Sequence, residues 1–239
     1  MMSQIAENLA AVRARIAAAA VRAGRDAGEI ELLAVSKTFP ASAVAEAYAA
    51  GQRCFGENRV QELEEKAPLL PAGIQWHLIG HLQANKVRAA VKLAAWIHSV
   101  DSLALLQRID RIAGEEGKCP AVLLEVNVSG EESKSGMTAE EARQTVLAAG
   151  DLRHLTLSGF MTMAPLGAPP EVLHRVFGGL RELRDSLRQE STLPLPVLSM
   201  GMSGDFEAAV ADGATIVRVG SAIFGARAAA PAGEDRQVQ

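Results

Sequence analysis

A lysine placed just beyond a short apolar run is the first group in this 239-residue sequence with the makings of a nucleophile. The run, Leu32–Val35, is too short for a helix and has the composition of a strand buried on both faces. Lys37 then falls at the carboxyl end of that strand, ahead of Pro40, which favours the opening turn of a helix. Burial of an amine there lowers its pKa, and the neutral form can attack an aldehyde to form an imine. The competing reading is a lysine that lays its stem along the strand end and keeps its ammonium in water.

A second set of groups lies between Pro196 and Gly225. Two apolar runs each lead into a small-residue cluster, Ser203–Gly204 after the first and Gly220–Ser221 after the second. Small residues let backbone N–H groups approach an anion, and the helix starts that follow direct positive dipole ends at it. Arg218 sits inside the second run, where a guanidinium that cannot give up its charge needs acceptors. Those acceptors are a carboxylate elsewhere in the fold or a ring nitrogen of a bound ligand. An amine and a phosphate cradle fit pyridoxal 5′-phosphate (PLP), whose aldehyde and phosphate need those two parts. A Schiff-base aldolase acting on sugar phosphates needs the same parts, which alone do not separate the two.

The elements that must position these groups alternate along the chain. Strand-like runs occur at Leu32–Val35, Arg53–Phe55, Gln75–Ile79, Trp96–Val100, Val122–Val128, Leu155–Phe160, Val197–Met200 and Ile216–Val219. Helical patterns separate them, at 41–50, 59–66, 84–93, 103–116, 139–149, 171–190 and 206–211. Eight strands alternating with helices predict a single α/β domain, a (β/α)8 barrel of the TIM type. In such barrels chemistry sits at the carboxyl ends of the strands, and the last two loops commonly hold phosphate. A doubly wound sheet is the second choice, but its first turn is usually glycine-rich and SKTFP has no glycine. An extra amphipathic N-terminal helix, with Ile5, Leu9, Val12 and Ile16 on one face, falls within residues 1–25. The barrel is expected to occupy 1–228 and a flexible tail 229–239. Thr138 with Glu141 forms a capping box, Gly150 and Gly51 are placed to end helices, and Asp101–Ser102 to begin one.

Composition narrows the class. Hydrophobic residues make up 49% and aromatics 4% of a chain with net charge −4, which suits a soluble globular protein and gives no basis for binding nucleic acid. No run reaches ~18 apolar residues, and charges interrupt the N-terminal segment, so neither a membrane span nor a signal peptide is expected. Cys54 and Cys119 have no disulfide or metal-ligand pattern, which points to reduced thiols in the cytoplasm. His77 and His81 have helical zinc-pair spacing, but Gly80 and the strand-like QWHLI oppose a helix, and no metal is expected. GMSGD around Ser203 lacks the second glycine of a nucleophile elbow. Lys86 and Lys134 read as solvated lysines, with a secondary role in passing on cofactor as the alternative.

The motifs AVSKTFP (34–40), FGENRVQE (55–62), WHLIGHLQANK (76–86), IHSVDS (97–102), LLEVNVSGEESKSGM (123–137), GFMTMAP (159–165) and LSMGMSGDFEAAV through VRVGSAIFG (198–225) cover nearly the whole chain. Jointly they resemble the pyridoxal phosphate homeostasis proteins, whose fold is like the N-terminal barrel of alanine racemase. The resemblance implies a PLP-binding protein with the cofactor on Lys37 as an internal aldimine. It implies phosphate held by Ser203, Gly204, Gly220 and Ser221, Arg218 beside the pyridine nitrogen, and Asn58 and His77 near the ring. It further implies a monomer that keeps PLP sequestered and supplies it to apo-enzymes. A cation at the pyridine nitrogen weakens the ring as an electron sink, and Tyr48, the sole tyrosine, reads as part of the first helix after Lys37. A carrier is therefore expected ahead of the alternative, an amino-acid racemase or another PLP enzyme of this fold.

Overall fold

The computed structural model describes residues 3–130 and 135–225. The expected tail at 229–239 and Lys134 lie outside the described residues. Eight parallel strands close into a barrel in sequence order: β1 Glu31–Val35, β2 Cys54–Glu57, β3 Gln75–Leu78, β4 Trp96–Val100, β5 Ala121–Glu125, β6 Thr156–Met161, β7 Val197–Ser199 and β8 Ile216–Val219. Closure is made by β8 on β1, with Leu33 opposite Arg218 and Ala34 opposite Val219. The apolar runs behave as buried strands because every strand has paired neighbours on both edges and cover on its outer face.

The outer layer follows from helix periodicity. It consists of α1 Gln4–Arg22, α2 Ala41–Ala49, α3 Val60–Lys66, α4 Val87–Leu93, α5 Leu103–Glu116, α6 Ala139–Ala148, α7 Pro170–Glu190, α8 Phe206–Ala211 and α9 Ser221–Phe224. In α7 the buried stripe Leu173, Val176, Phe177, Leu180 and Leu187 faces the strands. In α1 the buried face is Leu9, Val12, Ile16, Ala19 and Ala20. That helix packs on α8, α9 and α2, so it closes the outer layer where β8 meets β1. Asn8 Nδ2 donates to the carbonyl of Ile223 over 2.8 Å, and Arg25 Nη1 donates to the carbonyls of Val210 and Ala214.

The capping box at Thr138 and Glu141 is present, and Ser102 caps α5 by accepting from the Leu105 N–H. Pro40 is the N-cap of α2, which starts at Ala41 as expected. One expectation shifts: Gly150 lies inside a 3-10 turn, Ala149–Asp151, that extends α6. The fifth strand stops at Glu125, because Val126 pairs only as an isolated bridge with Met137 where the chain leaves the barrel.

The main apolar core lies between strands and helices. Inside the barrel a much smaller apolar group, Leu33, Cys54 and Ile216, shares the space with buried polar side chains. Among the latter, His77, His98 and Ser199 are fully buried and Arg218 is 4% exposed. A polar interior of that kind has to be hydrogen-bonded to be tolerated.

Candidate functional site at the carboxyl rim

Lys37 is half-buried in a tight turn that leaves β1 at Ser36 and returns with the Phe39 N–H on the Ser36 carbonyl. Both flanks of the lysine are anchored. The Ser36 N–H donates to Gly56 O, and its hydroxyl donates to Glu57 Oε1 over 2.7 Å. The Thr38 N–H donates to Glu62 Oε2 over 2.7 Å. Thr38 is held at φ 70°, a left-handed conformation that a β-branched residue adopts only under constraint.

One buried cation ties the anchors together. Lys66 Nζ donates to the Ser36 carbonyl (3.0 Å), Glu57 Oε1 (2.8 Å) and Glu62 Oε2 (3.0 Å). Burial pushes the Glu57 carboxyl up to about 7, even though Lys66 and Ser36 both favour its charge. Glu62 is also raised by burial, but the Thr38 N–H and Lys66 outweigh this and hold it below the usual carboxylate range. This brace was not expected from the sequence. Glu57 sits in the quoted FGEN motif and Glu62 and Lys66 follow on α3, so the E-x4-E-x3-K spacing was its only local signal.

The loops after β7 and β8 meet one another. The Gly220 N–H lies 3.4 Å from Ser203 Oγ, which it reaches as a donor. A Cβ at Gly220 would sit 3.0 Å from the Val35 carbonyl, so only glycine lets this loop pass so close to the strand that carries Lys37. Among the described residues, the backbone N–H groups of Ser203, Gly204, Ser221 and Ala222 have no acceptor. Ser203 and Gly220 are half-buried, and Gly204 and Ser221 are exposed. Four unclaimed donors in two adjoining loops can receive an anion.

Arg218 finds its acceptors in two backbone carbonyls and a hydroxyl rather than in a carboxylate. Its Nη1 donates to Ser199 O (2.7 Å) and Ser199 Oγ (2.8 Å), and its Nη2 to Thr162 O (2.9 Å). Burial lowers its pKa to about 10, with Asp205 and Glu125 pulling the other way, so it stays charged at neutral pH. Three fixed acceptors hold the guanidinium plane in one orientation.

Asn58 follows β2 and is half-buried in a cleft with Gln83 and Lys86, as expected for a rim residue. His77 is not at the rim. Its ring is fully buried in the barrel, with Nδ1 2.9 Å from His98 Nε2 and Nε2 3.9 Å from Glu31, the first residue of β1. The strand pleat aims it inward, and its own carboxyl-side neighbours intervene before the rim. His81 faces Asp101 at 3.3 Å with a largely exposed side chain, so the two histidines do not form a pair.

A closed (β/α)8 barrel with a braced lysine after β1 and unclaimed N–H donors in the loops after β7 and β8 belongs to the class of barrels found as the N-terminal domain of alanine racemases. The family model described as "Alanine racemase, N-terminal domain" matches residues 7–228. Within that class the chain belongs to the pyridoxal phosphate homeostasis protein family. It is 49% identical over 228 residues to the pyridoxal phosphate homeostasis protein of Pseudomonas aeruginosa, covering 95% of this chain and 97% of the relative. A solved structure of PipY from Synechococcus elongatus with PLP bound matches with 44% identity and a TM-score of 0.83, over 92% of this chain and all of that one. An alanine racemase from Clostridium difficile, 18% identical, shares the fold with a TM-score of 0.72 over 94% of this chain and 57% of the racemase.

Proposed function

We propose that this protein binds PLP at the carboxyl rim and serves cellular PLP homeostasis, holding the cofactor and supplying it to apo-enzymes rather than turning over amino acids. The observation that carries the reading is the pairing of a braced, half-buried lysine with four backbone donors that lack acceptors in the adjoining loops. The residues fit the group. PLP supplies an aldehyde for a primary amine and an electron-withdrawing ring, with a phosphate as a handle. Lys37 Nζ would hold the aldehyde carbon covalently. Ser203, Gly204, Gly220 and Ser221 would hold the phosphate through backbone N–H groups and hydroxyls.

Arg218 would face the ring nitrogen with Nε or the remaining N–H of Nη2, since Nη1 is engaged twice by Ser199 and Nη2 once by Thr162. A permanent cation there keeps a proton off that nitrogen and leaves the ring a weaker electron sink. Tyr48, the only tyrosine in the sequence, packs under Arg53 with the guanidinium 4.0 Å from its ring and is no base for the rim. Both features favour holding over racemisation. The reading includes one barrel domain over 1–228, a monomer, and a cytoplasmic setting. Among the described residues no helix is long and apolar enough to cross a membrane.

Borohydride reduction of the PLP-loaded protein, followed by peptide mass mapping, tests the assignment. The reduced adduct is expected on Lys37, and Lys37→Ala should lose it while retaining the wild-type melting profile. An adduct persisting elsewhere in that variant would overturn it. Turnover of L- or D-amino acids well above that of free PLP would instead favour a racemase.

A further inference from the structure

The amino end of the barrel carries a second group of side chains that the PLP site does not use. Glu31 opens β1, Cys54 opens β2 and His77 lies on β3, and one ligand atom from each falls within 4.8 Å of the others. The His77 ring is fully buried, and its Nε2 has no hydrogen-bond partner although it is aimed at Glu31. A buried, unclaimed imidazole nitrogen costs free energy unless something occupies it. Its other nitrogen is already fixed by His98, which in turn meets Ser199 Oγ at 3.0 Å. Metal-binding histidines are oriented in this way by their second nitrogen.

Access and chemistry agree. A cleft of about 450 Å³ between α1 and the strand starts is lined by Glu31 and Cys54, which gives an ion an entrance and room for a water. Arg13 and Arg53 also line it, but each is spoken for. Arg13 donates to Gln52, and Arg53 to the carbonyls of Tyr48 and Gln52. Thiolate, imidazole and carboxylate form a donor set suited to zinc, with an open fourth position. Tetrahedral zinc needs ligand atoms roughly 3.3–3.5 Å apart, from bonds of about 2.0–2.3 Å. The 3.9 Å gap from His77 Nε2 to Glu31 therefore has to close by about half an ångström, and any pair near the 4.8 Å bound by about 1.3 Å, which the 45% exposed Glu31 side chain can supply by swinging inward.

We propose that Glu31, Cys54 and His77 bind a zinc ion at the amino end of the barrel, with water from the cleft as fourth ligand. Coordination at Nε2 makes His77 the Nδ1–H tautomer, donating to His98 Nε2. The zinc–sulfur bond forms as the Cys54 thiol releases its proton to solvent, with no change of oxidation state. Without metal this thiol is strongly protonated, since burial and the Glu31 carboxylate push it up to about 12. His77, held by burial down to about 3, is already neutral and contributes no proton.

The test uses the full chain, with and without PLP, after treatment with a chelator. Calorimetric titration with Zn²⁺ in buffers of different ionisation enthalpy should show one site per chain and about one proton released. Co²⁺ should give the visible bands of a tetrahedral site together with a sulfur-to-metal charge-transfer band. Cys54→Ser should abolish the proton release and the charge-transfer band and weaken binding on the order of 100-fold, and Glu31→Gln about tenfold. Cys119→Ser, at an exposed thiol, should change nothing. Absence of saturable uptake, or uptake of unchanged affinity in Cys54→Ser, would overturn the proposal. Neither result bears on PLP at Lys37, which borohydride mapping reads separately.

Discussion

At the carboxyl rim, Glu62 beside Lys66 is held below the usual carboxylate range and the more deeply buried Glu57 is raised to about 7, while in the barrel interior His77 and His98 are buried without a formal charge. The rim affords ionisation because one ammonium serves two carboxylates and a carbonyl at hydrogen-bond distance. The interior offers a neighbouring imidazole, a hydroxyl and the Arg218 cation, and the half-exposed Glu31 carboxylate comes no closer than 3.9 Å to His77 Nε2, so desolvation drives both histidines neutral. Under burial, an opposite charge at hydrogen-bond distance keeps Glu62 ionised but only partly offsets the deeper burial of Glu57. That arrangement fixes geometry, since the Ser36 hydroxyl and carbonyl and the Thr38 N–H, the groups that flank Lys37, all end on it.

The comparison can be broken most forcefully at Lys66. Lys66→Met leaves Glu57 buried without its partner and should cost about 3–5 kcal/mol in urea unfolding measured above pH 7. Adding Glu57→Gln to that variant should restore most of the loss. A cost below about 1 kcal/mol for the single change would mean that the rim charges are not coupled.

The two regions should also answer pH with opposite signs. Glu57 has a folded pKa near 7 against an ordinary 4.5, so its contribution is complete below about pH 4.5 and is lost as pH rises through 7. His77 is depressed to about 3, so its contribution is present above about pH 6.5 and is lost as pH falls. Wild-type stability relative to Glu57→Gln should therefore fall by about 3 kcal/mol between pH 4 and pH 8. Glu57→Gln itself should lose stability on acidification, as the histidines dictate. A wild-type-minus-variant difference that is flat with pH would remove Glu57 from the account.

Two smaller effects sharpen the picture of the rim. Ser203→Ala and Ser221→Ala should each weaken PLP retention by about 1.5 kcal/mol, roughly tenfold, in equilibrium dialysis, with little change in melting temperature. Unchanged retention in both would place the phosphate elsewhere. Thr38→Gly should raise stability by up to about 1 kcal/mol, because glycine relieves the left-handed φ but loses more entropy on folding. Cofactor attachment should meanwhile slow, as the turn beside Lys37 loosens. A destabilised Thr38→Gly would show that the Thr side chain outweighs its backbone strain.

Much of the barrel was readable because parallel strands declare themselves as apolar runs and the helices as stripes with caps. Trp96–Val100, Ile216–Val219 and Leu103–Glu116 match the expected bounds without change. The helix α9 was missed, since four residues, SAIF, carry no period and are helical only because Gly220 turns the chain there. At the site, the turn position of Lys37 and the small-residue loops were legible from local pattern. The Lys66 brace was not, because a glutamate in a strand end looks the same whether it meets solvent or an ammonium from the next helix. His77 was misplaced for a related reason. A strand's pleat gives inward or outward, but height within the barrel depends on register between strands, which no single stretch encodes.

The contact between Asn8 and the Ile223 carbonyl joins residues 215 apart in sequence. During synthesis the first of these waits for 215 more residues before its partner exists. Closure of β8 on β1, and with it the meeting of the last loop with the Lys37 turn, is delayed to the same moment. On the proposed reading, a nascent chain on the ribosome has its lysine before the loops of residues 203–204 and 220–221 exist, and capture of a reactive aldehyde waits for their synthesis.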